Sequence, residues 1–343
     1  MRETGPAEPA VRVSGLTIGT DRGPDPLTLV SDVSFSVLPG EMLGLVGESG
    51  SGKTLTGAAV AGLLPRGVRR VGGRIALDGR SVEGQGIRRR PGDGLAMIFQ
   101  NPMTSLNPSM RIGDQVAEAV RLHRPKITKR AAAAEALALL ERVEITRTEE
   151  RMRQYPFEFS GGMRQRVMIA IALATGPKVL IADEPTTALD VTVQQGVMDL
   201  IDRLRAEMGL AVLLISHDLA VVSERCDRLL VMYAGEIVES GAAHRVLHQP
   251  LHPYVDGLMR CIPERALKLG ELRSLPGRVP APDELPAGCR FAPRCDFVTD
   301  ACVSAHPLLE EAGPDHGVRC VRSKEIDFHA PTEKHVTAGE TDG

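Results

Sequence analysis

A phosphate-binding loop at residues 47–54 restricts this chain to a small set of folds. These residues read Gly-Glu-Ser-Gly-Ser-Gly-Lys-Thr and fit the pattern G-x-x-x-x-G-K-[ST]. The glycines let successive backbone N–H groups point inward at an anion. The Lys53 ammonium suits the β- and γ-phosphates of a nucleotide, and the Thr54 hydroxyl suits Mg²⁺. All eight residues are candidate nucleotide ligands: Gly47, Glu48, Ser49, Gly50, Ser51, Gly52, Lys53 and Thr54.

The segments on either side of the loop indicate an α/β fold. Residues 42–46 are a short apolar run typical of a buried strand. Residues 55–64 are typical of a helix whose positive N-terminal end faces the phosphates. Residues 179–182 and 211–215 are further apolar runs, as expected for parallel strands covered on both faces. Periodicity and turn residues predict the remaining elements: strands at 11–18, 28–37 and 74–78, helices over 130–143 and 161–175, and a hairpin over 229–239 that turns at Tyr233-Ala234-Gly235.

Composition places the chain among ordinary folded proteins of the cytosol. The formal net charge of −3 gives no electrostatic reason to expect a nucleic-acid partner. Residues 1–15 carry charges and prolines without an apolar stretch, so we expect no signal peptide. The most apolar run, 167–176, is half the length that a membrane-spanning helix needs. Six cysteines in such a protein are expected to be thiols or metal ligands rather than disulfides.

Two carboxylates follow the apolar run 179–182 directly. Beside a phosphate loop, the two carboxylates of such a pair are expected to have different roles. We predict that Asp183 binds Mg²⁺, directly or through water, and that Glu184 orients and polarises the attacking water. A lone Asp-Glu pair is more often a solvated strand end, and the phosphate loop upstream favours the catalytic interpretation.

A second candidate phosphate site lies at the start of the predicted helix 161–175. Ser160 is a suitable N-cap, and Gly161 and Gly162 leave the first N–H groups accessible to a phosphate. Read by itself, this segment is only a well-capped helix start.

The motifs together resemble those of the ATP-binding cassette family, in the same order along the chain and over residues 11–250. The matching segments are the phosphate loop, Gln100 within Ile-Phe-Gln-Asn-Pro-Met-Thr-Ser-Leu-Asn-Pro, the signature-like run Ser160 to Gln165, the strand 179–184, Ala188-Leu189-Asp190, and His217 within Ile-Ser-His-Asp. The resemblance implies a RecA-like core, an antiparallel β subdomain and a helical subdomain at about 102–162. It also implies that the protein hydrolyses ATP with Mg²⁺.

The resemblance also implies a role for individual residues. Gln100 would contact Mg²⁺ or the attacking water, and His217 would contact the γ-phosphate. The signature residues would contact the γ-phosphate held by the opposite cassette of a pair. The implied nucleotide contacts outside the phosphate loop are Ser160, Gly161, Gly162, Gln165, Asp183 and Asp190, and the implied Mg²⁺ ligands are Thr54, Gln100 and Asp183.

Further segments resemble the oligopeptide, dipeptide and nickel importers within that family. They are Met103 to Pro108, Tyr155-Pro156, Arg164 to Ala170, His252-Pro253-Tyr254, Leu275-Pro276-Gly277 and Cys289 to Cys295. This likeness implies an ATPase subunit on the cytoplasmic face of a cell membrane, powering uptake of di- or oligopeptides. Its implied partners are two permease subunits, a second cassette of a different chain (or a second copy of this one) and an extracytoplasmic solute-binding protein.

The sequence departs from the family at the first strand. Family members usually stack adenine on an aromatic residue there, whereas residues 16–20 read Leu-Thr-Ile-Gly-Thr. Stacking from Ile18 or Thr20 would be weak, so the sequence does not predict a tight preference for ATP over GTP.

The composition changes near residue 263. Our predicted division is a cassette at 11–262, a proline-rich linker at 263–286, a small cysteine-bearing domain at 287–322 and an unstructured tail at 323–343. The cysteines Cys289, Cys295, Cys302 and Cys320 match no common zinc spacing. The resemblance implies a four-iron cluster in some relatives. A [4Fe–4S] cluster, Zn²⁺ and free thiols remain the alternatives.

Two other functions compete with peptide import. The same architecture serves for nickel or another small solute, because a cassette never touches the cargo. A soluble cassette protein that acts on nucleic acid or ribosomes is the other alternative. The single cassette, the absence of heptad repeats and the negative net charge argue against it.

Overall fold

The computed structural model describes residues 8–21, 26–82, 94–100, 105–187, 189–261, 275–326 and 328. The strands are β1 (Val11–Thr20), β2 (Thr28–Val37), β3 (Met42–Val46), β4 (Val68–Leu77), β5 (Arg80–Ser81), β6 (Leu95–Ile98), β7 (Val179–Asp183), β8 (Ala211–Ser216), β9 (Arg228–Tyr233), β10 (Glu236–Ala242), β11 (Glu310–Gly313) and β12 (His316–Val318). The helices are α1 (Lys53–Ala61), α2 (Ile112–His123), α3 (Lys129–Arg142), α4 (Thr148–Arg151), α5 (Gly161–Leu173), α6 (Val191–Met208), α7 (Leu219–Arg225), α8 (Ala243–His248), α9 (Pro253–Arg260) and α10 (Asp300–Ser304). Two short 3₁₀ helices occupy Pro156–Glu158 and Ala292–Arg294.

The larger sheet has eight strands in the order β11-β12-β10-β9-β3-β8-β7-β6. The strands from β9 to β6 are parallel, whereas β10, β12 and β11 are attached antiparallel. The strand β3 lies between β8 and β9, so it delivers the phosphate loop to the middle of the carboxyl edge. This is the position at which parallel α/β sheets bind ligands.

Both faces of the central strands are covered, as their continuous apolar sequences predict. In β3, Met42 and Val46 pack into one core, and Leu43 and Leu45 pack into another on the opposite face. The first core also contains residues of α5 and α6, while the second contains residues of α1 and of the smaller sheet. The core sheet is therefore held between two apolar layers.

The smaller sheet is antiparallel, with the order β2-β1-β4-β5. It corresponds to the predicted antiparallel β subdomain. The predicted helical subdomain corresponds to α2, α3 and α4, which pack on one another and, through α2 and α3, on α5. Among the described helices, none is both long and apolar enough to cross a bilayer.

The cysteine-bearing segment at 287–322 packs on the cassette. Its strand β12 pairs with β10 and extends the larger sheet. Two buried carboxylates of β10 contact basic side chains of this segment. Glu236 lies 2.9 Å from His306 Nε2 and 3.5 Å from Arg290 Nε. Glu239 lies 2.8 Å from His316 Nε2. Sequence reasoning had no means of placing these long-range pairs.

Some sequence-based predictions lie outside the described residues. Of the predicted linker, the structure describes only the residues from 275 onward. Of the predicted tail, it describes only residues 323–326 and 328. The segment 101–104 beside Gln100, and Ala188 beside Asp190, are likewise not described. The strand β6 was not predicted, because its sequence, Leu-Ala-Met-Ile, is too short to show a period.

Candidate nucleotide-binding and hydrolysis site

The phosphate loop connects β3 to α1 through backbone angles that favour glycine. Gly47, Gly50 and Gly52 have φ values of 150°, 81° and 100°. A Cβ on Gly47 would lie 2.1 Å from the carbonyl oxygen of Met232, so no larger residue fits there. The loop is thus packed directly on the end of β9.

Lys53, the first residue of α1, is buried inside the loop. Its Nζ donates hydrogen bonds to the carbonyl oxygens of Gly47 (2.8 Å) and Glu48 (2.9 Å). Burial lowers the pKa of Lys53, and the carboxylates of Glu184, Asp183 and Glu48 only partly offset this. A desolvated cation that is bonded only to neutral oxygens gains strongly from an anionic phosphate.

Thr54 and Asp183 meet at the base of the loop. The Thr54 hydroxyl donates to Asp183 Oδ1 at 3.3 Å. Burial raises the pKa of Asp183 to about 6, against the hydrogen bond from Thr54 and the charge of Lys53. A hydroxyl and a carboxylate this close together offer the oxygen ligands that Mg²⁺ prefers.

Glu184 lies at the centre of a set of polar side chains from three loops. Its carboxylate accepts hydrogen bonds from Gln100 Nε2 (2.8 Å) and Thr187 Oγ1 (2.9 Å), and its Oε1 lies 3.3 Å from His217 Nδ1. Its φ of 46° is unusual for a residue other than glycine. Burial opposes ionisation of Glu184, but the bonds from Thr187 and His217 and the charge of Lys53 outweigh it, so its pKa is lowered. At neutral pH this group is a carboxylate that can accept a proton from water.

The remaining candidate residues lie at the starts of two helices. Ser160 caps α5 by accepting from the N–H of Met163, and Asp190 caps α6 by accepting from Val193. The two helix starts are in close contact, since a Cβ on Gly162 would lie 2.3 Å from Val193 Cγ1. Gln165 is buried, and its Nε2 has no hydrogen-bond partner.

The structure therefore separates the candidates into two groups. The first contains the phosphate loop, Asp183, Glu184, Gln100 and His217, and the second contains Ser160, Gly161, Gly162, Gln165 and Asp190. No hydrogen bond or ion pair among the residues that the structure describes joins the second group to Lys53, Asp183 or Glu184.

Three contacts of the first group were missed by sequence reasoning. Thr187 bonds Glu184, the Tyr254 hydroxyl accepts from the N–H of Glu48 at 2.9 Å, and Arg294 forms an ion pair with the Glu48 carboxylate. Tyr254 and Arg294 are 206 and 246 residues from Glu48 along the chain. Both stand in segments that resemble the importers, but the likeness carried no role for them.

Ile18 and Thr20 of β1 stand where family members usually have an aromatic residue that stacks on adenine. Ile18 is fully buried in the core of the smaller sheet, and the Thr20 hydroxyl accepts from the N–H of Leu27. Neither side chain therefore replaces the aromatic ring on which a base would stack.

The four tail cysteines lie together but do not form a metal site as they stand. Cys289, Cys295, Cys302 and Cys320 line one cavity of about 20 Å³. Burial raises the pKa of Cys289 to about 11 and that of Cys295 to about 12, so neither thiol is a ready thiolate without a cation. Within the described ranges, no group of three or more His, Cys, Asp or Glu side chains is arranged to hold a metal ion.

A phosphate loop after β3, with a pair of carboxylates at the end of β7 on the same edge of the sheet, is the arrangement that defines the phosphate-loop NTPases. Comparison with known proteins narrows the class. The family "ABC transporter" matches residues 30–187, and "Oligopeptide/dipeptide transporter, C-terminal region" matches residues 238–302. The chain belongs to the ATP-binding cassette (ABC) transporter family and is an ATPase of that family.

Curated relatives align along nearly the whole chain. A putative peptide import ATP-binding protein of Brucella melitensis biotype 1 is 45% identical over 335 residues, which are 93% of this chain and 98% of the relative. Another, from Brucella abortus (strain 2308), is 45% identical over 308 residues, covering 89% of this chain and 92% of the relative.

Solved structures match the cassette part. The ATP-binding cassette MJ0796, a dimer in a post-hydrolysis state bound to ADP and Pi, is 25% identical with a TM-score of 0.60, covering 68% of this chain and 99% of that one. The cbiO1 protein of Clostridium perfringens, at 24% identity and a TM-score of 0.60, shares the fold over 71% of this chain and 92% of that one.

Proposed function

We propose that this chain is the ATP-hydrolysing subunit of a peptide importer and acts on the cytoplasmic face of a cell membrane. The observation that carries the proposal is the convergence of Lys53, Thr54, Asp183, Glu184 and Gln100 at one edge of the sheet. The match to the oligopeptide/dipeptide transporter region and the names of the relatives support peptides as the cargo.

We assign the hydrolytic roles within this first group as follows. The loop N–H groups and Lys53 bind the phosphates, and Thr54, Asp183 and Gln100 would hold Mg²⁺, which neutralises phosphate charge when bound. The amide oxygen of Gln100 is the atom that can ligate a cation, because its Nε2 is a donor and bonds Glu184. Glu184 orients the attacking water, and His217, beside it, contacts the γ-phosphate.

The second group of residues is proposed to act on a neighbouring cassette. Ser160, Gly161, Gly162, Gln165 and Asp190 would complete the ATP site of a partner in a head-to-tail pair. The preferred partner is a second, different cassette, and two copies of this chain are the alternative. One chain then supplies half of each of two sites.

The isolated chain is accordingly expected to bind ATP and to hydrolyse it at least about 100-fold more slowly than the assembled pair, since the γ-phosphate lacks the donors that the partner supplies. The measurement is steady-state phosphate release by a monomeric preparation, whose state is checked by light scattering. Full activity in a strictly monomeric sample would contradict the division into two half-sites.

Cargo is tested in the complete assembly, with two permeases, the second cassette and a solute-binding protein in lipid vesicles. Di- or oligopeptides presented by the binding protein are expected to stimulate ATP hydrolysis and to accumulate on the opposite side. Stimulation by Ni²⁺ but not by any peptide would refute the assignment of cargo and leave the ATPase intact.

We further propose that the four tail cysteines hold one metal centre, a [4Fe–4S] cluster or Zn²⁺. Their shared cavity supports this proposal, because four thiols that face one space can ligate one centre. The cavity is small, so the thiols would have to rearrange around either metal and to move apart for a four-iron cluster. The centre would serve stability or an interface, because the ATP site is built from other residues.

Cys295→Ser is expected to remove the centre and to expose residues 287–322 to proteolysis, because metal binding contributes folding energy directly. The measurement is iron, sulfide and zinc per anaerobically purified chain, together with limited proteolysis. The matched control is Cys261→Ser, whose hydroxyl keeps the bond that Cys261 Sγ donates to the carbonyl of Gly257. Metal below about a tenth of an equivalent and an unchanged protease pattern would show that no such centre exists.

A further inference from the structure

We propose that Arg294 is a positioning residue for ATP binding, which holds the phosphate loop in its binding conformation through the carboxylate of Glu48. This places the cysteine-bearing segment in direct contact with the nucleotide site of its own chain. The inference rests on ATP binding by the loop and is independent of the cargo.

The contact between the two residues is bidentate. Arg294 Nη1 lies 3.0 Å from Glu48 Oε2, and Nη2 lies 3.1 Å from Oε1. Paired N–H···O bonds of this kind define orientation as well as distance. Glu48 is the second residue of the loop, so its position also sets that of the adjoining Gly47 carbonyl, which Lys53 contacts.

The guanidinium is itself held from several sides. Its Nε donates to the carbonyl of Pro276 at 2.7 Å, and it lies over the rings of Tyr233 and Phe291 at 5.7 and 5.9 Å. Only 5% of the Arg294 side chain is exposed, against 27% of Glu48. Arg294 is therefore the rigid member of the pair, and Glu48 is the member that it restrains.

Neighbouring contacts hold the same part of the loop. The Tyr254 hydroxyl accepts from the N–H of Glu48, and Tyr254 packs on Tyr233 and Phe291 with ring centres 4.7 and 5.4 Å away. Arg290 donates to the carbonyl of Ala234, and the next residue, Gly235, donates its N–H to the Ser51 carbonyl. Two arginines of the segment 290–294 therefore reach the loop, one directly and one through the turn after β9.

This arrangement predicts an effect on ATP affinity. A loop with three glycines loses considerable backbone freedom when it closes on phosphate, and a contact that orders it beforehand reduces that loss. When either Arg294 or Glu48 is replaced, the bidentate contact is lost and no longer orders the loop before ATP binds.

The test is Mg-ATP binding to the full-length chain, with a double-mutant cycle on the pair. Arg294→Gln and Glu48→Gln are each expected to raise the ATP Kd about tenfold, and the double variant also about tenfold rather than a hundredfold, because coupled residues are not additive. Arg294→Lys, which keeps the charge but not the fork, is expected to fall between wild type and Arg294→Gln.

Arg278→Gln is the matched control, because Arg278 pairs with Glu284 in the same C-terminal region at 3.1 Å but is 81% exposed. Its Kd is expected within about twofold of wild type. Unchanged melting temperatures without nucleotide exclude a general loss of folding. If the Arg294→Gln chain does not fold, the ATP Kd values of Arg294→Lys and Glu48→Gln test the proposal in its place.

An ATP Kd within twofold of wild type for both Arg294→Lys and Glu48→Gln overturns the proposal, and so do effects that multiply in the double variant. If the wild-type chain binds no ATP, the proposed nucleotide site fails as well. If it binds ATP and the variants bind equally well, only the role of Arg294 fails.

Discussion

Replacing Glu184 with glutamine is expected to preserve ATP binding and to slow hydrolysis by the assembled complex by about 10²–10⁴-fold. The reason is chemical rather than structural. The amide keeps the size of the side chain and an oxygen that can accept from Thr187 and Gln100, which both bond Glu184 Oε2. It cannot accept a proton from water.

The measurement is phosphate release by the complex at saturating Mg-ATP, with ATP binding followed in parallel. Glu207→Gln is a suitable control, because Glu207 is a surface carboxylate whose ion pairs are with Arg142 and Arg203. Near-normal turnover by the Glu184→Gln complex would show that Glu184 does not position the water.

Replacing Asp183 with asparagine is expected to abolish hydrolysis and, in the absence of nucleotide and Mg²⁺, to stabilise the chain by about 1–3 kcal/mol above pH 6. The buried carboxylate is costly, which is why its pKa is raised to about 6. The asparagine oxygen can still accept from Thr54, and the variant has no charge to bury.

The sign of the pH dependence follows from linkage. The folded chain holds the Asp183 proton more tightly than the unfolded chain does, so this residue lowers the stability of the wild type as pH rises from about 4 to about 6. The difference between wild type and Asp183→Asn should therefore widen over that range and level off above it. Thermal unfolding in EDTA at pH 5 and pH 8 measures it, and a variant that is less stable at pH 8 would contradict this account.

Local structure was largely predictable from the sequence. The apolar runs at 42–46, 179–182 and 211–215 became β3, β7 and β8, because a parallel strand covered on both faces needs apolar residues at every position. The predicted helices over 130–143 and 161–175 agree with α3 and α5 to within two residues at each end. Curated relatives and solved structures confirm the cassette fold and the ABC family.

The sequence by itself determined the phosphate loop, since its eight residues are consecutive and its glycines permit the positive φ angles that the loop needs. The tertiary structure alone decided three contacts. Arg294 forms an ion pair with Glu48, and Thr187 and Gln100 both donate to one oxygen of Glu184. The strand β12 pairs with β10 and extends the larger sheet. These contacts join residues that are as many as 246 positions apart. Such pairs carry no local periodicity, and they form only when the packed sheet brings the strand ends and the C-terminal segment to one edge.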